Sequence, residues 1–118
     1  MKTKPTIAGL MLALTLALAL TTGLATAGTT GPTTVKQILV YEAGDLVYVY
    51  PTAGVTAPPA CAGASAYYSF KMNRPRAREY LAGLMAAQVA GLTVTLTGSG
   101  TCTDQTTSET LAYYSITK

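Results

Sequence analysis

Among the segments of this chain that carry a hydrophobic period, only Pro75 to Ala90 repeats every three to four residues. Ala77, Leu81, Leu84, Met85 and Val89 recur at those spacings and predict a core-facing helical stripe with Tyr80 on its edge. Asn73 can cap this helix, Pro75 suits its first turn, and Gly91 is placed to end it in a left-handed conformation. The other periodic runs alternate. In "LTVTLTG", Leu92, Val94 and Leu96 fall on one face and Thr93, Thr95 and Thr97 on the other, the pattern of a half-buried strand.

Four more strands are expected. Val35 to Tyr41 and Leu46 to Tyr50 flank Glu42-Ala43-Gly44-Asp45 and read as a hairpin, which Pro51 ends because it cannot donate to a ladder. "SAYYSFKM" is a third strand before the helix, and Glu109 to Thr117 close the chain. One helix between the third and fourth of five strands predicts a mainly β fold, a five-stranded OB-fold-like Greek-key barrel of order β-β-β-α-β-β, with an open α+β sandwich as the alternative. Gly54, Pro58, Pro59 and Gly63 mark residues 52–64 as a loop, and Gly98 to Ser108 as another.

The first 27 residues read differently. Lys2 and Lys4 precede an apolar run from Ile7 to Leu20, and Ala25-Thr26-Ala27 then stands before Gly28, the layout of a secretory signal peptide cleaved after Ala27. The uninterrupted run is shorter than the roughly 20 residues a bilayer needs, so no membrane span is expected after cleavage. The domain plan is therefore residues 1–27 as signal, 28–34 as a flexible mature N-terminus of Gly, Thr and Pro, and 35–118 as the folded domain, secreted or periplasmic.

Cleavage also changes the charge. The whole chain carries +3, but without Lys2 and Lys4 the balance is six basic residues against five acidic, which does not indicate a nucleic-acid binder. The two cysteines, Cys61 and Cys102, lie one in each loop of a chain bound for an oxidising compartment, and a disulfide between them is expected. No histidine is present, so histidine triads and histidine metal sites are excluded. With the thiols oxidised and the acids scattered, the residues form no catalytic set, and no cofactor or metal is expected.

Two tyrosine pairs remain, in "AYYS" at Ala66 to Ser69 and again at Ala112 to Ser115. Strand alternation splits each pair. Tyr68 is in phase with Phe70 and Met72, and Tyr114 with Ala112 and Ile116, so both belong to the core. Tyr67 and Tyr113 face outward beside hydroxyl residues, as surface cover or as a stacking and hydrogen-bonding site. Tyr48 and Tyr50 are open to either reading. The flanks of the two copies do not match, which argues against duplication.

"RPRAR" sets Arg74, Arg76 and Arg78 at the helix start, where the helix dipole disfavours positive charge. This is either a solvated turn with Arg76 paired to Glu79, or an anion site in which Arg74 and Arg78 hold a carboxylate. The small face of the helix, Ala82, Gly83, Ala86, Ala87 and Ala90, is either a solvent side or the close-packing face of a homo-oligomer.

Taken together, "CAGASAYYSF", "REYLAGLMAAQVAG", "LTVTLTGSGTC" and "ETLAYYSIT" resemble small exported bacterial proteins described as similar to the B subunit of subtilase cytotoxin. Those toxin B subunits are OB-fold pentamers that bind sialylated glycans and carry a catalytic A subunit. The resemblance thus implies a non-catalytic binding module with a glycan as ligand and oligomerisation in prospect. The candidate ligand contacts are Tyr67, Tyr113, Arg74 and Arg78. A stand-alone envelope or extracellular domain that binds another protein is the alternative.

Overall fold

The computed structural model describes residues 26–118. The expected signal peptide therefore lies outside the described residues except for Thr26 and Ala27. The first strand, β1, spans Thr29–Thr33, and the alternation of "VKQILVY" and "LVYVYP" then yields a hairpin of β2 (Val35–Tyr41) and β3 (Leu46–Pro51). Its turn places Gly44 and Asp45 at positive φ, and the Asp45 amide donates to the Glu42 carbonyl at 3.1 Å. After a short 3-10 turn at Ala60–Ala62 come β4 (Tyr68–Lys71), α1 (Ala77–Ala90), β5 (Thr93–Gly98) and β6 (Glu109–Thr117).

The six strands form one mixed sheet in the order β1-β5-β6-β4-β3-β2. β4 and β6 run parallel, and the other neighbours are antiparallel. β1 and β2 lie at opposite edges, yet only Thr34 separates them in the chain. A flat sheet of six strands would hold its edges about 24 Å apart, whereas two Cα steps span at most about 7 Å. The sheet must curl, and it does so into a half-barrel whose concave side takes the core.

That core comprises Val47 and Val49 from β3, Tyr68 and Phe70 from β4, Val94 and Leu96 from β5, Leu111 from β6, and Ala77, Leu84 and Ala87 from α1. Cys61 and Cys102 are disulfide-bonded with Cα atoms 6.2 Å apart, joining the loop before β4 to the loop between β5 and β6. Gly91 ends α1 at φ 63°, and the Leu92 amide reaches back to the Ala87 carbonyl at 2.9 Å. Among the described residues no helix is long and apolar enough to cross a membrane.

Three expectations are corrected. Residues 28–34 are not a loose start: Thr29–Thr33 pair with β5, making six strands instead of five. "TTGPT" shows no apolar alternation because its one inward side chain is polar. Thr30 is buried, with its hydroxyl on the Tyr68 hydroxyl at 2.9 Å and accepting the Thr56 amide at 2.9 Å. The helix starts at Ala77, with Arg76 at φ 64° as its N-cap and no side-chain cap from Asn73.

The third correction concerns the helix face. Met85 and Val89 are 50% and 89% exposed, and the stripe that packs runs Ala77, Tyr80, Leu81, Leu84, Ala87. Periodicity admitted two overlapping stripes. The arc containing Tyr80, the two leucines and the small Ala87 fits the concave sheet more closely than one extended toward Val89.

Candidate functional site

β3 sends Val47 and Val49 inward, so alternation sends Tyr48 and Tyr50 to the outer face. The hairpin register sets Leu39 opposite Tyr48 and Tyr41 opposite Leu46, which brings the Tyr41 ring to the same face. Tyr67 lies just before β4, whose register pairs Tyr68 with Val49. It therefore arrives beside Tyr50.

The result is a row of four rings. Tyr41 and Tyr48 stand 5.9 Å apart at 27°, Tyr48 and Tyr67 4.8 Å at 42°, and Tyr67 and Tyr50 4.9 Å at 39°. These are offset aromatic contacts, favourable beyond the area they bury. Tyr41 is 48% exposed and the other three are half-buried, so their outer edges face solvent.

Polar groups border the row. Gln105 donates its side-chain amide to the Tyr48 hydroxyl at 2.9 Å, and the Ser108 hydroxyl lies between Gln105 Oε1 and Ser69 Oγ, 2.7 Å from the latter. Ser69 shares the strand phase of Tyr67, yet it is fully buried because the 105–108 loop covers it. Burial pushes the Tyr48 phenol above its ordinary value, with neighbouring Tyr67, Tyr41 and Tyr50 adding to the effect, and burial and then Tyr67 do the same to Tyr50. The row is thus a neutral apolar platform edged with hydroxyl and amide groups.

Tyr113 stands elsewhere. The β4–β6 register, Tyr68 to Glu109 and Ser69 to Thr110, aligns Tyr67 with Ser108, five residues before Tyr113 and about 16 Å away along the strand. Tyr113 is 59% exposed and borders an open groove of about 380 Å³ shared with Arg76, Glu79, Tyr80 and Tyr114. Arg76 and Glu79 pair across its mouth at 3.6 Å, both well exposed, so this ion pair adds little stability.

The floor of the groove is tied together. Tyr80 donates to the Ala112 carbonyl at 2.7 Å, and Tyr114 donates to the Tyr80 carbonyl at 3.0 Å with the two rings edge to face at 5.5 Å. Burial raises the Tyr114 phenol, with Tyr80 contributing.

Arg74 has a structural task. Its guanidinium donates to the Leu111 carbonyl and, at 3.3 Å, to the Ala112 carbonyl, and it lies 4.8 Å over the Tyr80 ring and 5.9 Å from that of Phe70. It fastens the helix entry to β6, which leaves it poorly placed as a free fork for a ligand. Arg78 is exposed on the first turn of α1 and does not border the groove. The four sequence candidates are accordingly divided: Tyr67 in the row, Tyr113 in the groove, Arg74 beneath β6 and Arg78 on the helix surface.

Tyr41 and Gln105 were missed. The hairpin turn carries enough information to set Tyr41 beside Tyr48. Gln105 sits in an irregular loop and gives no signal before the chain is folded. No family model, curated protein or solved structure matches the chain.

Proposed function

We propose that this chain is an exported, non-catalytic binding module with an OB-fold-like barrel, and that the tyrosine row Tyr41, Tyr48, Tyr67 and Tyr50 receives a glycan. The observation that carries the reading is the contiguity of the four rings at 4.8 to 5.9 Å. Sugar rings present C–H faces that stack on aromatic surfaces, and their hydroxyls take hydrogen bonds from phenols and amides such as Gln105. The barrel assignment is supported by the neighbour order β5-β6-β4-β3-β2, by the helix between β4 and β5, and by the passage of β1 into β2 through Thr34. Export and oxidation suit the disulfide.

A glycan array probed with the protein from Gly28 onward tests the function. Tyr67→Ala is expected to weaken binding at least about tenfold, since it opens the row at its centre, while Tyr113→Ala leaves it unchanged. Absence of glycan binding, or binding indifferent to Tyr67, would refute the reading.

A protein partner, including a second copy, is favoured by one separate observation. Ala82, Met85, Ala86 and Val89 are all exposed and recur at three and four on the solvent face of α1. Light scattering at high micromolar concentration is expected to show a mass above the monomer that Val89→Glu returns to one chain; a monomeric wild type removes the self-association reading.

A further inference from the structure

Glu109 opens β6 and is fully buried. Its Oε1 accepts the Gly28 and Gly100 amides, each at 2.9 Å, while its Oε2 has no hydrogen-bond partner among the described residues. A buried carboxylate with two neutral donors and no cation among the described residues is a costly arrangement. The surroundings are also built around it, because a Cβ on Gly98 would overlap its carboxyl group.

The three atoms nearest to where a side chain on Gly28 would start are all oxygens. A side chain there would begin 2.6 Å from Glu109 Oε2, 2.8 Å from the Thr56 carbonyl oxygen and 3.1 Å from that of Ala57. Gly28 is itself buried and fixed, its carbonyl accepting the Gly98 amide at 2.8 Å, whereas Thr26 and Ala27 are exposed. The chain thus crosses from solvent into an oxygen-lined pocket at the bond where the sequence places the cut.

We propose that the Glu109 pocket is a receptor for an α-ammonium group, filled by the new N-terminus that cleavage of the Ala27–Gly28 bond creates. The proposal rests on the export reading for its cut. A signal-cleaving peptidase adds one water across the amide: hydroxyl goes to the Ala27 carbonyl carbon and a proton to the Gly28 nitrogen, which takes a further proton from solvent at neutral pH. Where Gly28 of the precursor offers Glu109 a single neutral N–H, Gly28 of the mature chain offers a positive charge and three donors. One keeps the bond to Oε1, and the added charge compensates the carboxylate whose Oε2 is unpartnered.

Such capture couples processing to folding. Until the cut, β1 enters the sheet over an uncompensated carboxylate, which holds back the folding of a chain still in transit. After it, the ion pair locks β1 against β5, and the two loops that form the pocket are those the disulfide joins.

Three proteins made in vitro test the pocket: one beginning at Gly28 with a free amine, the same chain N-acetylated, and one beginning at Ala27, whose ammonium sits about 3.8 Å further out. The free Gly28 form is expected to melt at least about 10 °C above the other two, and its α-amine to resist acylation until the protein is unfolded in urea. In a Glu109→Gln background the advantage should vanish. Equal melting temperatures for free and acetylated Gly28 would overturn the proposal without requiring the Glu109 variant to fold, as would an advantage that survives Glu109→Gln. The mass of the chain recovered after export judges the cut independently, and a mature protein starting at another residue would overturn that assignment.

Discussion

Gly83→Ala in the middle of α1 sets two effects against each other. Considered as helix chemistry alone, the change should stabilise by about 1 kcal/mol, because alanine loses less backbone entropy than glycine. The fold predicts the opposite sign. A Cβ at residue 83 would overlap the Tyr114 hydroxyl and sit 3.1 Å from its Cζ, so the ring must shift away from the helix. With it go the hydrogen bond to the Tyr80 carbonyl at 3.0 Å, worth about 1 kcal/mol, and the edge-to-face contact with Tyr80, worth about 1 kcal/mol. Part of the burial of a half-buried ring is lost as well, adding about 1 kcal/mol. The net expectation is a loss of about 2 kcal/mol, or roughly 10 °C in melting temperature for a domain of this size. Urea denaturation of the four members of the Gly83→Ala, Tyr114→Ala cycle reads it directly. On the Tyr114→Ala background Gly83→Ala should regain its positive sign, giving a coupling of about 3 kcal/mol. An identical effect in both backgrounds, or stabilisation in the wild type, would refute the packing argument.

Replacing both Cys61 and Cys102 by alanine opens a loop closed at a sequence separation of 41, and the chain-entropy estimate is a loss of about 4 kcal/mol. Calorimetry should show a melting temperature lowered by roughly 16 to 30 °C, and a drop below about 4 °C would mean that the loops are held without the bridge. Alkaline titration should show Tyr48, Tyr50, Tyr68 and Tyr114 ionising above the ordinary tyrosine value of about 10, since burial raises all four; for Tyr68 the Thr30 hydrogen bond partly offsets that rise and nearby Glu109 adds to it. The unfolded chain releases these protons near the ordinary pH of about 10, before the native chain does. Stability should therefore be indifferent to these groups below that pH and fall as pH climbs through their native range. Denaturant midpoints rising over that interval would contradict the burial of the phenols.

The fold was legible where side chains alternate between apolar and polar. β2, β3, β5 and the helix follow from "VKQILVY", "LVYVY", "LTVTLTG" and the Pro75 to Ala90 period, and Tyr68 lies in the core as its phase requires. β1 escaped because Thr30 is an inward hydroxyl satisfied by Tyr68 and Thr56, partners far away in sequence. Of the candidate site residues, Tyr67 joins the aromatic row, but its neighbours are set by strand register. Arg74 resembled a ligand fork in sequence because nothing local reveals the Leu111 and Ala112 carbonyls that occupy it.

The amino-acid sequence by itself determined the class of fold, the helix α1 and its glycine stop, the cysteine pairing and the inward or outward phase of most strand residues. These depend on period, on turn chemistry and on there being two cysteines, all of which are local or countable. Tertiary structure alone decided which tyrosines stand together, which helical stripe is buried, and that Glu109 meets Gly28 across 81 positions of chain. Those outcomes depend on the curl imposed when Thr34 joins the two edges of one sheet. Pairing across that curve brings distant residues within bonding distance, and no periodicity along the chain encodes it.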